Sequence, residues 1–173
     1  MRFLGIDQSF TSTGIVVLDD YENLVHHDII ATEKYDDSLQ IFQRMITIST
    51  QIIDIIKTHD IRSIAIEGLS FMSKGDATRN LAGLQGVLVS SIIQKYPNDI
   101  VTIVAPPTLK KYATGSGKAK KEDIFDSLPT DIKELFGKIP VAKGRYDLSD
   151  AYWLASYAAT KYQEIQEELT YAT

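Results

Sequence analysis

The chain opens on two short runs rich in β-branched and aromatic residues, 2–7 (RFLGID) and 13–18 (TGIVVL), separated by the polar stretch Gln8 to Ser12. Runs of this kind between turn-forming residues predict strands. A third extended piece, 24–31 (LVHHDIIA), follows the turn at Asp19 to Asn23, so the three read as an antiparallel meander. Apolar residues then recur at helical spacing between Ser38 and Lys57, at Leu39, Phe42, Met45, Ile46, Ile53 and Ile56. Ile61 to Ile66 predicts a buried strand, and Ala77 to Tyr96 a long helix that stops before Pro97-Asn98-Asp99. The next strand is Ile100 to Ala105, ended by Pro106-Pro107. A Gly/Lys loop from Thr114 to Lys118 leads into one or two short helices across 119–137, and a last helix runs from Asp147 to Leu169.

The order β-β-β-α-β-α-β-α-α predicts an α/β fold. Its five-stranded mixed sheet combines a three-strand antiparallel meander with parallel strands and carries helices on both faces. At 173 residues, with no repeat, linker or low-complexity tract, the chain is expected to form one domain over 1–173. Its 44 % hydrophobic and 24 % charged content is that of an ordinary globular protein. The longest apolar runs fall well short of the roughly 18 residues a membrane span needs. The opening MRFLGIDQSF puts charge where a secretory signal would need an apolar core. There are 0 cysteines, which excludes disulfides and thiolate metal sites and is consistent with a reducing, intracellular setting.

A net charge of −5 argues, by itself, against a nucleic-acid binder. The distribution changes that picture. Between Pro107 and Lys121 stand five lysines (Lys110, Lys111, Lys118, Lys120 and Lys121) and no acid, whereas the last turns carry Glu164, Glu167 and Glu168. A local basic face is compatible with an acidic protein.

The acids supply the chemistry. Asp7 ends the apolar strand Gly5-Ile6-Asp7, and Glu67 ends Ile64-Ala65-Ile66-Glu67. A carboxylate at the end of a buried strand is costly, and two side by side repel each other. A divalent cation is the simplest compensation. Asp147 and Asp150, three residues apart, fall on one face of the last helix. Alone, that pair reads equally well as acids favoured by a helix N-terminus, and Asp7 alone as a turn former. Together the four make a set of hard oxygen ligands suited to Mg²⁺ or Mn²⁺. Two such ions, about 3.5–4 Å apart, would serve phosphodiester hydrolysis. Nothing places His26, His27 or His59 beside the acids.

This pattern resembles the RuvC Holliday-junction resolvases of bacteria and their phage relatives, within the RNase H-like superfamily. The resemblance runs over nearly the whole chain. It comprises Leu4-Gly5-Ile6-Asp7 with Thr13-Gly14, Ala65-Ile66-Glu67, Phe71-Met72 before Gly83 and Gly86-Val87, Pro107-Thr108-Leu109-Lys110, Gly115 to Lys121, and Asp147-Leu148-Ser149-Asp150-Ala151. It implies an RNase H-like sheet, with Asp7, Glu67, Asp147 and Asp150 as catalytic metal-binding acids for two Mg²⁺ ions, replaceable by Mn²⁺. It implies that Lys110 and Lys121 contact junction phosphates, with Lys118 beside them, and that Phe71 stacks on a junction base. It further implies a homodimer in the bacterial cytoplasm that nicks paired strands of four-way DNA, leaving 5′-phosphate and 3′-hydroxyl ends.

Two features depart from the bacterial pattern. Phe71 stands four residues after Glu67, where many members place the aromatic after three, and the whole chain is acidic. With Gly68 expected to soften the loop, branched shape should be recognised with loose sequence preference. Gly83 and Gly86, inside a helix, are expected to serve close packing at the dimer interface. Competing classes are an actin-like or sugar-kinase-type ATP-binding domain, which shares a Gly-Ile-Asp strand and a hydroxyl-rich hairpin, and an RNase H-like nuclease for structured RNA.

Overall fold

The computed structural model describes residues 1–33, 38–69 and 75–171, and in it the three N-terminal runs pair as their patterning predicts. Strands β1 (Arg2–Asp7) and β2 (Thr13–Asp19) are antiparallel, with Asp7 opposite Gly14. Strand β3 (Leu24–Ile30) pairs antiparallel to β2, with a slip between Val17 and Leu18. On the other side of β1 lie β4 (Ser63–Glu67) and then β5 (Ile100–Val104), both parallel, giving the order β3-β2-β1-β4-β5. This is the predicted mixed sheet, placed between two helical layers.

Period-two alternation sorts the side chains of each strand. Leu4, Ile6, Ile15, Val17, Ile64 and Ile66 pack with residues of α1 (Ser38–His59) and α2 (Asp76–Lys95), among them Met45, Ile52, Leu84 and Leu88. The opposite face meets α3 (Pro106–Thr114), α4 (Lys121–Asp126), α5 (Thr130–Gly137) and α6 (Arg145–Tyr171). There Val16 and Leu18 pack with Phe136, Leu148 and Tyr152, and Phe3 and Ala65 with Leu109, Leu154 and Ala158.

Two glycines let α6 lie directly on the sheet. A Cβ at Gly5 would stand 1.9 Å from the Ala151 carbonyl oxygen, and one at Gly14 would stand 2.2 Å from the Asp147 carbonyl oxygen. No side chain larger than hydrogen fits between those backbones, and the contact sets the height of the first turns of α6 above β1 and β2.

The structure corrects several boundaries. Pro106-Pro107 ends β5 but also opens α3, because proline is tolerated where a helix has no partner for its first amides. Gly115, left-handed at φ 79°, closes that helix, so Lys110 and Lys111 sit on a helix rather than in a loop. The fourth strand begins at Ser63, two residues later than expected, although Ile61 is buried, and the last helix starts at Arg145. Gly68 is no soft joint. Its amide donates to the Val104 carbonyl at 2.7 Å, and a Cβ there would crowd Ile103. Gly83 does serve close packing, since its missing Cβ would meet Met45 Cε at 2.8 Å, whereas Gly86 faces open space. Among the described residues no helix is long and apolar enough to cross a membrane.

Candidate active site

Asp7 and Glu67 are the last residues of two neighbouring parallel strands, in the register that pairs Ile6 with Ile66. Adjacent strands lie about 4.8 Å apart and residues in register share a face. The two carboxyls are close enough for each to shift the other. Burial pushes the Asp7 carboxyl well above the usual carboxylate range, and repulsion from Glu67, Asp150 and Asp147 pushes it further. Burial raises Glu67 as well, although its contact with Asp7 and the charges of Lys121 and Lys110 pull it back.

The other two acids arrive from the first turns of α6, three residues apart and so on one face. Asp150 is 6 % exposed. Burial and then the Glu67 charge push its carboxyl up to about 7, against the opposing pull of Lys121 and Lys110. Asp147 is less buried and held from two sides. The Ser12 hydroxyl donates to its Oδ2 at 2.5 Å, and Lys121 Nζ stands 3.9 Å from its Oδ1. Among the described residues no three acids already converge as a ready-made metal cage. The carboxyls stand as mutually repelling pairs, close enough for each to shift its neighbours.

The lysines divide. Lys121, on the first turn of α4, feels Asp150, Asp7, Asp147 and Glu67 together; burial lowers its pKa, but their combined attraction raises it overall. Lys110, on α3, acts on both Glu67 and Asp150. Lys118 is exposed and carries no described contact with the acids. Phe71 lies outside the described residues. The histidines stay away, as expected: His26 stacks on His59 with ring centroids 4.9 Å apart, and His27 packs on Phe136.

Sequence reasoning passed over two residues of the turn between β1 and β2. Gln8, 5 % exposed, donates from Nε2 to the Glu67 carbonyl at 2.9 Å and to Gln85 Oε1 at 2.8 Å, tying the ends of β1 and β4 to α2. Ser12 ties the same turn to Asp147. The only signal for either was the run at 8–13, polar except for Phe10, which fits any tight hairpin.

Comparisons with known proteins identify the family. The family described as crossover junction endodeoxyribonuclease RuvC matches over residues 3–155. The crossover junction endodeoxyribonuclease RuvC of Ehrlichia chaffeensis is 26 % identical over 160 residues, which cover 90 % of this chain and 94 % of the relative. Thermus thermophilus RuvC superposes with a TM-score of 0.68 at 18 % identity, covering 90 % of this chain and 91 % of that one. The structure of T. thermophilus RuvC in complex with a Holliday junction substrate gives 0.67 at 17 %, covering 90 % of each chain. These matches separate the chain from the ATP-binding alternative. With four acids gathered at the ends of β1 and β4 and the start of α6, and a match over most of its length, the chain belongs to the crossover junction endodeoxyribonuclease RuvC family.

Proposed function

We propose that this single-domain chain cuts four-way DNA junctions, with Asp7, Glu67, Asp147 and Asp150 holding two Mg²⁺ ions for which Mn²⁺ can substitute. One observation carries the proposal: carboxyls that burial and mutual repulsion push toward the neutral form stand together at the end of the sheet. Such a cluster is costly in buried surroundings unless cations compensate it. The donors suit the ions, since all are hard oxygens in a chain with 0 cysteines and with its histidines elsewhere. When bound, the ions would supply an activated water and stabilise the leaving 3′ oxygen, giving 5′-phosphate and 3′-hydroxyl ends.

The chain's own residues account for the rest. Lys110 and Lys121 put two cations beside the acids, where a scissile phosphate must sit, and offset the repulsion between the carboxylates and the DNA backbone. Lys118, exposed on the same basic segment, is the third lysine we assign to the DNA backbone. Phe71 follows Glu67 closely in sequence and is the residue we assign to stacking at the branch.

Symmetric cutting of a two-fold substrate calls for a second copy of the chain. The outer surface of α1 and α2 supports one: Phe42 and Ile46 are 58 % and 59 % exposed about one turn apart on α1, and Ile93 is 54 % exposed on α2. The T. thermophilus relative was solved with a Holliday junction, and the bacterial relatives suggest that the protein works in the cytoplasm.

Labelled four-way, three-way, linear DNA and folded RNA, each incubated with Mg²⁺, test the reading. Paired nicks near the centre of the four-way junction are expected, with some cutting of three-way DNA. Preferred cutting of the RNA, or equal cutting of linear duplex, would defeat it.

A further inference from the structure

Asp147 differs from the other three acids in how it is held. Its two carboxyl oxygens have different partners, contributed by different elements. Oδ2 accepts from Ser12 in the turn between β1 and β2, at 2.5 Å, and Oδ1 faces Lys121 Nζ of α4 at 3.9 Å. The Ser12 contact spans 135 positions of sequence, so it is a property of the tertiary fold. It is also the neutral one. A hydroxyl can fix the direction of a carboxylate without cancelling its charge, whereas the ammonium attracts that charge for itself.

The surroundings leave Ser12 little freedom. Its turn is closed by Thr13, whose hydroxyl donates to the Ser9 carbonyl while accepting from the Ser9 amide. A Cβ at Gly144 would stand 2.9 Å from Ser12 Oγ, and one at Gly14 would meet the Asp147 backbone. Gly144, just before α6, and Gly14 on β2 leave room for Ser12 and Asp147 to approach, and the hydrogen bond is built into the seat of α6 on the sheet.

We propose that Ser12 is a positioning residue for the metal site: it occupies Oδ2 of Asp147, so that this acid presents Oδ1 alone to a cation, already aimed. The inference rests on the four-acid reading above and adds a residue to it. A ligand whose orientation is fixed in advance loses less freedom on binding, and partners that orient a ligand typically contribute 10–100-fold in metal affinity or activity.

Mn²⁺ affinity of the full chain, measured by calorimetry and by the Mn²⁺-dependent rise in melting temperature, is the test. It needs four proteins: wild type, Ser12→Ala, Asp147→Asn and the double variant. Ser12→Ala should bind Mn²⁺ roughly tenfold more weakly than wild type. In the Asp147→Asn background the same change should have no further effect, because Ser12 acts through Asp147. Unchanged affinity in Ser12→Ala overturns the inference, as do equal losses in both backgrounds, which would mean a general disturbance of the hairpin. If wild type itself shows no saturable Mn²⁺ binding, the four-acid reading fails first and this inference with it.

Discussion

Replacing Asp150 with asparagine should stabilise the protein in the absence of divalent ions, and should do so only where the carboxylate is charged. An acid whose pKa is higher folded than unfolded binds its proton more tightly in the folded state. It therefore costs stability as pH rises through the interval between the two values. For Asp150 that interval runs from about 3.9 in the unfolded chain to about 7 in the folded one. The gap of about three units sets a ceiling of about 4 kcal/mol, fully expressed above pH 7. Asparagine cannot ionise, but its amide occupies the same buried position and needs partners, so a net gain of about 1–3 kcal/mol is expected. For a chain of this size each kcal/mol moves the melting temperature by about 2–4 °C. Melting curves in a chelating buffer near pH 8 should therefore show Asp150→Asn above wild type by about 2–12 °C, and near pH 4 the gain should be lost, leaving the variant level with wild type or below it by the cost of the buried amide. Millimolar Mn²⁺ should raise the wild type and shrink the gap at pH 8, by linkage to a site only the folded state possesses. A variant that melts lower than wild type in chelator at pH 8, or one with the same gain at both pH values, refutes the claim that charge repulsion strains this site.

Asp7→Asn should abolish nicking while leaving junction affinity within a few-fold of wild type in a gel-shift assay, because the amide keeps shape and removes the charge that holds cations. Strong residual cleavage would remove Asp7 from the mechanism. Changing Lys110 and Lys121 together to alanine should reduce junction cleavage far more than changing Lys57 and Lys95, and should flatten the salt dependence of binding; equal losses would place the contact surface elsewhere. Gly14→Ala should destabilise the fold by about 1–3 kcal/mol or more, since its new methyl collides with backbone rather than with a yielding side chain. It should also reduce Mn²⁺ affinity by displacing Asp147, and a melt and metal titration like those of wild type would contradict the close approach of α6. Phe71→Ala, followed by melting and cleavage together, separates a stacking residue from a core one: lost cleavage with an unchanged melt supports stacking, and a collapsed melt defeats it.

What was legible in the sequence was whatever depends on local pattern. The meander shows as period-two runs between turns, and Asp7 and Glu67 stand out because a carboxylate ends an otherwise apolar strand. Helix α3 was hidden because Pro106-Pro107 reads first as a stop. The same two residues fit the opening turn of a helix, and Gly115 its close, so the information was present but ambiguous. Gly5 and Gly14 could be quoted as part of a motif but not explained, because the reason for them is the backbone of α6, far along the chain. Gly68 misled in the opposite direction: its flexibility as a residue is overridden by its bond to Val104 and the crowding at Ile103. Gly83 and Gly86 looked alike in sequence and face different surroundings, one against Met45 and one outward. Ser12 and Gln8 were invisible because a polar side chain in a hairpin needs no further explanation until its distant partner is known.

An acidic chain can hold a polyanionic substrate because only the charges near the bound phosphate act on it. The four acids repel one another and would repel DNA, yet their charge is confined to one end of the sheet, buried at Asp7 and Asp150, with Lys110 and Lys121 acting on them from α3 and α4. Three further glutamates are placed where they matter less. Helix α6 carries Asp150 near its start and Glu164, Glu167 and Glu168 near its end. At 1.5 Å per residue, Asp150 and Glu164 are separated by about 21 Å along the axis. That is more than twice the screening length of about 8 Å at physiological salt, so the exposed glutamates hardly affect a phosphate held at the acids. Net charge sums over the molecule, whereas a phosphate beside Lys121 feels mainly the charges within one screening length.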